Sequence, residues 1–66
     1  MVECIRDNMY GFTKGEVYKV ISKWCSEGEG YIVKGLIFYD IIDDEGDIHS
    51  IEENVFKNYF NSIQER

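Results

Sequence analysis

Polar and apolar positions alternate along most of this chain with a period of two, the spacing of extended strands rather than helices. Residues 1–6 predict a short strand with Val2, Cys4 and Ile5 apolar. Asp7 to Gly15 predicts a loop that Asp7 and Asn8 open, Gly11 and Gly15 bracket, and Phe12 tucks inward. Glu16 to Trp24 predicts a second strand, with Tyr18, Val20 and Trp24 on one face and Val17 and Ile21 on the other. Ser26-Glu27-Gly28-Glu29-Gly30 predicts a loop, and Tyr31 to Asp43 a long extended segment bent or bulged at Gly35.

That segment ends in Asp43-Asp44-Glu45-Gly46, acids early and glycine last, the pattern of a type I turn with a G1 bulge. Ile48 to Ile51 is the returning strand. From Glu52 to Phe56 one helical or 3₁₀ turn is expected, with Val55, Phe56, Tyr59 and Phe60 at helical offsets, and a tail polar apart from Ile63 follows. In the long segment Leu36, Phe38 and Ile42 share one face, and Ile37, Tyr39 and Ile41 the other. A small domain has one core, so one of these faces needs a partner, a second subunit or a covering loop. The expected core is Val2, Cys4, Phe12, Tyr18, Val20, Phe38, Ile42, Ile48, Val55, Phe56 and Phe60.

Sixty-six residues make a single domain, 1–66. A chain of this size buries only about 60% of its unfolded surface. Four Phe, five Tyr and Trp24 offset this, since each ring can bury about 150–250 Å². The parts in order, with a long first loop and a tight acidic hairpin, predict a strongly bent antiparallel barrel.

Thirteen acids against seven bases give a net charge of -6, and the bases stand singly along the chain. This disfavours binding to nucleic-acid backbones, which needs clustered cations. It suits solubility or attraction to a basic protein surface. No basic segment leads into an apolar run at the start, which reads as no signal peptide, and no stretch reaches the about 20 apolar residues of a membrane span. The expected setting is a cytoplasmic, reducing one with Cys4 and Cys25 both free; a disulfide is the alternative should they lie on adjoining strands.

The chemistry-bearing residues are few. Asp40, Asp43, Asp44, Glu45 and Asp47 lack the register of a calcium loop and read as a solvated hairpin. His49 reads as a strand surface residue. Cys4 and Cys25 offer no C-x-x-C for zinc, and Gly28 and Gly30 precede a strand rather than a phosphate-binding helix. No enzyme, metal or cofactor is expected. The apolar excess points instead to an exposed patch, with Trp24, Tyr31, Ile37, Tyr39 and Ile41 as candidate binding residues.

The spacing Thr13-Lys14-Gly15-Glu16-Val17-Tyr18-Lys19-Val20, then Tyr39-Asp40-Ile41-Ile42-Asp43-Asp44-Glu45-Gly46, then Phe56, resembles short SH3-like β-barrel proteins of Gram-positive phages and prophages. The segment between Val20 and Tyr39 is longer here, and the region of Phe56 richer in aromatics. The Ala-Leu-Tyr-Asp-Tyr motif and Trp-Trp pair that grip polyproline in eukaryotic SH3 domains are absent. The resemblance implies an all-β SH3-like barrel of about five antiparallel strands with one short 3₁₀ or helical turn. It implies a non-enzymatic, phage-encoded protein-binding module that occupies a host protein's surface in the bacterial cytoplasm. The alternatives are a nucleic-acid-associated SH3-like domain, a self-associating structural protein closed as a homodimer, and an acidic mimic of nucleic acid.

Overall fold

The computed structural model describes residues 1–63; of the polar tail, residues 64–66 lie outside the described residues. The chain forms β1 (Val2–Cys4), β2 (Val17–Tyr18), β3 (Val20–Glu27), β4 (Lys34–Ile42), β5 (Ile48–Glu52), α1 (Glu53–Tyr59) and β6 (Phe60–Ser62). These make two three-stranded antiparallel sheets, in the orders β2-β1-β6 and β3-β4-β5. The domain is therefore mainly antiparallel β with one short helix. Six strands replace the expected five, and the sheets do not close into a continuous barrel. Only Lys19 separates β2 from β3, so one length of chain passes from the first sheet into the second, and the Ile42 amide reaches the Lys19 carbonyl at 3.5 Å.

The core is small and aromatic. Val2, Cys4, Phe12, Tyr18, Ile41, Ile51, Phe56 and Phe60 are buried. Tyr39 stacks on Phe56 at 4.2 Å, Phe56 on Phe60 at 5.2 Å, and Phe12 meets Phe60 and Tyr18 edge-on at 5.3 and 4.9 Å. Helix α1 places Phe56 in this run. The Glu52 side chain accepts the Asn54 N–H at its start, and the Phe60 N–H closes on the Phe56 carbonyl at its end.

Four expected core residues lie elsewhere. Phe38 and Ile42 are half-buried on the outer face of β4, Ile48 is 60% exposed and Val55 42%. On β4 it is the other face, with Tyr39 and Ile41, that meets the core. Opposite residues in an antiparallel pair share a face, so Ile48, paired with Ile42, also points outward, and Val55 faces away while Phe56 holds the inner side of α1. Val20 and Trp24 were expected on one face. A register shift between Val20 and Ser22 separates them: Val20 pairs with Ile41 inside, Trp24 with Phe38 outside.

The acidic turn is exposed from Asp44 to Asp47, as expected, but Asp43 is buried and tied down. Asp43 N–H donates to the Asp47 carbonyl at 2.8 Å, and Gly46 N–H to the Asp43 carbonyl at 3.1 Å. The Asp43 carboxylate is nearly inaccessible. One oxygen accepts the Glu45 and Asp47 amides at 2.9 Å each, and the other contacts His49 Nε2 at 2.6 Å. His49 is accordingly half-buried, its ring edge-on to Phe12 at 5.3 Å, not a free surface residue. Asp44 clasps the first loop: it accepts from Thr13 Oγ1 at 2.8 Å and Tyr18 Oη at 2.6 Å, and its N–H donates to the Gly11 carbonyl at 2.9 Å.

Candidate functional site

Beyond Phe38, where pairing with β5 ends, strands β3 and β4 run on as a two-stranded arm. Pairing runs from Val20↔Ile41 out to Glu27↔Lys34, with a second register shift between Cys25 and Glu27. The radius of gyration, 12.2 Å, exceeds the about 11 Å of a compact chain of this length. Toward the tip the inner face runs out of cover: Cys25 is exposed and its neighbour Ile37 half-buried.

The tip itself is apolar. Tyr31 is fully exposed, Val33 63% and Ile32 40% exposed, and Glu27, Glu29 and Lys34 flank them. The second register shift turns Ser26 inward, where it is buried. Its hydroxyl donates to the Val33 carbonyl at 2.5 Å and accepts the Leu36 N–H at 2.9 Å, holding the base of the loop closed. The Ile32 N–H adds a turn bond to the Glu29 carbonyl at 2.9 Å.

On the outer face Trp24 stacks on Phe38, centroids 4.6 Å apart and 14° from parallel. The indole is fixed by its own N–H, which donates to Asp40 Oδ1 at 2.9 Å. Asp40 also accepts Ser50 Oγ at 2.6 Å and Ser22 Oγ at 2.7 Å. The bonds from Ser50, then Ser22, then Trp24 hold its carboxyl below the usual 3.8 against a smaller opposing effect of desolvation. Between Trp24 and Ile32 lies a dimple of about 30 Å³, room for one water. The arm thus carries a pinned aromatic pair and an apolar tip.

Of the residues the sequence nominated, Trp24 and Tyr31 lie on this arm and Ile37 on its inner face. Tyr39 and Ile41 do not belong to a free surface. Ile41 has no exposed area, and Tyr39 packs under Phe56, with its hydroxyl on Glu53 Oε2 at 3.3 Å and Lys23 Nζ 5.5 Å from its ring. The reason is the reversed facing of β4. Missed were Phe38 and the pair Ile32-Val33. An apolar triplet directly after Gly28-Glu29-Gly30 was the available signal, but it reads as the start of the extended segment that runs on to Asp43.

Among the described residues no group of three or more His, Cys, Asp and Glu side chains is placed to hold a metal ion. Cys4 is buried and Cys25 exposed, on different sheets, and both thiols are free. No helix is long and apolar enough to cross a membrane. No family model, no curated protein and no solved structure matches the chain.

Proposed function

We propose that this chain is a non-enzymatic protein-binding module that works through the β3–β4 arm. The observation that carries the reading is the apolar tip Tyr31-Ile32-Val33 beside the pinned Trp24, an exposed patch on a domain that has few large apolar residues to spare. Aromatic anchors dominate many protein interfaces, and an anchor already held in one rotamer loses less entropy on binding. Trp24, fixed by Phe38 and Asp40, meets that description. The acids beside the patch favour a partner surface with an apolar pocket and a basic rim.

The order of parts supports an SH3-like assignment: a long first loop, a strand that changes sheets at Lys19, an acidic hairpin, and a helical turn before the last strand. With the phage-type sequence pattern, it favours a phage accessory protein that occupies a host protein's surface. The test is capture from a Gram-positive bacterial lysate by immobilised wild type and by Tyr31→Ser, Val33→Ser, a variant expected to keep its fold. A protein retained by the wild type and lost with the variant supports the reading, and identical retention by both overturns it.

Self-association is the second reading, because β3 is an edge strand of its sheet. Its two register shifts and Lys23 count against pairing with another copy. Sedimentation decides: a dimer that the tip variant abolishes would replace the host-protein reading.

A further inference from the structure

A second concavity lies away from the arm, where the chain leaves β1. The Ile5 N–H bonds to the Tyr59 carbonyl at 2.8 Å, and the Arg6 side chain turns onto the end of α1, its Nε–H donating to the Asn58 carbonyl at 2.7 Å. The first loop returns to the same place. Gly15 N–H donates to the Cys4 carbonyl at 2.7 Å, and Cys4 N–H to the Glu16 carbonyl at 3.0 Å, which carries Lys14 back toward Arg6. Between them is an open cleft of about 480 Å³ lined by Arg6, Asp7, Asn8, Lys14, Asn58 and Tyr59.

The charge of this cleft is opposite to that of the molecule. The chain carries -6, yet the cleft gathers two cations against one carboxylate. The ion pairs among the described residues are His49–Asp43 and Lys57–Glu53, so neither Arg6 nor Lys14 is neutralised by an acid there. The Asn58 carbonyl holds only Arg6 Nε. The guanidinium is thereby oriented, with its two terminal nitrogens left for a planar acceptor. Asn8 and Asn58 add amide donors and Tyr59 a hydroxyl. The volume falls within the about 300–1,000 Å³ of small-molecule sites.

We propose that this cleft binds the oxyanion of a small molecule, a phosphate or carboxylate group held between Arg6 and Lys14. Asp7 weakens the site by repulsion and sets it for a ligand that brings its own contacts to the two amides.

The test is a titration of ¹⁵N-labelled protein with inorganic phosphate and, separately, acetate, each against chloride at matched ionic strength. The expected result is saturable shifts at the amides of Arg6, Asp7, Asn8 and Lys14. Lys14→Gln should weaken binding by about tenfold or more with an unchanged melting temperature, and Asp7→Asn should tighten it. Arg6 also supports α1, so the decision rests on the Lys14 and Asp7 variants. Stronger saturation by phosphate assigns a phosphate ligand, and stronger saturation by acetate a carboxylate. Shifts that chloride reproduces, or equal affinity in Lys14→Gln, overturn the proposal.

Discussion

The clasped end of the molecule and its arm are built from similar residues put to opposite use. At the clasped end Phe12, Tyr18, Phe56 and Phe60 interlock, Asp43 ties the hairpin to itself, and Asp44 binds the first loop to it by side-chain and backbone bonds. In the arm Trp24 and Phe38 stack on each other with solvent above them, and Tyr31 touches little. Apolar content therefore does not locate the core of a small domain. What separates the two regions is how many separate segments converge: four at the clasped end, two in the arm.

The sharpest way to break that comparison is to truncate one apolar side chain at each end. Phe60→Ala should cost about 3–5 kcal/mol, much of the about 3–10 kcal/mol expected for a domain of this size. Val33→Ala should stay within about 0.5 kcal/mol. Urea unfolding measures both, and equal losses would mean that the arm is part of the core. Next comes Gly11→Ala. Gly11 has φ +85°, and an added Cβ would lie 2.9 Å from Asp43 Oδ2, so a loss of about 1–3 kcal/mol is expected from the strained backbone alone.

Ser26→Ala should cost about 1 kcal/mol and act locally. Trp24 is the only tryptophan, so its fluorescence should change at lower denaturant than the far-UV signal if the tip loosens first. Coincident curves would show arm and core to be one cooperative unit.

pH sharpens the same contrast. Desolvation is the largest single influence on Asp43 and raises its pKa, yet the amides of Asp47 and Glu45 and the contact with His49 together outweigh it and leave it below 3.8. A depressed carboxylate stabilises fully above its unfolded value, and that stability is lost as pH falls through the lower folded one. Acid unfolding should therefore begin below about pH 4, and Asp43→Asn should flatten its pH dependence. Asp40→Asn should instead alter Trp24 emission first. Tyr18 works in the other direction: burial, then its bond to Asp44, raises its pKa above 10.0. The stability it adds is present below pH 10 and lost as pH rises through the folded value, and Tyr18→Phe should remove that alkaline limb.

Much of the fold was legible in sequence. The strands at Val2–Cys4 and Ile48–Glu52, the acidic turn, and the helical offsets around Phe56 all follow local rules. The facing of β4 did not, because both parities are largely apolar from Leu36 to Ile42, and only Asp40 marks the parity of Leu36, Phe38 and Ile42 as the outer one. That choice is made by distant segments, with Phe56 stacking on Tyr39 and the backbone at Gly11 leaving room only for the Asp43 side chain. One inserted residue at Ile21 then reversed the facing of Trp24. The cleft at Arg6 was equally hidden, since Lys14 is brought there by the backbone bond of Gly15 to Cys4 and Asn58 by the Arg6 side chain that turns onto α1.

The pairing of β1 with β6 joins Val2 to Ser62, almost the full described length of the chain apart. A contact between such distant residues carries a large loop-closure entropy and slows folding. The meander β3-β4-β5, by contrast, needs only neighbouring hairpins. On the ribosome it has all its residues before β6 has emerged. The sheet that buries least is thus the one able to form first, with its Tyr39 and Ile41 face uncovered until the last strand arrives.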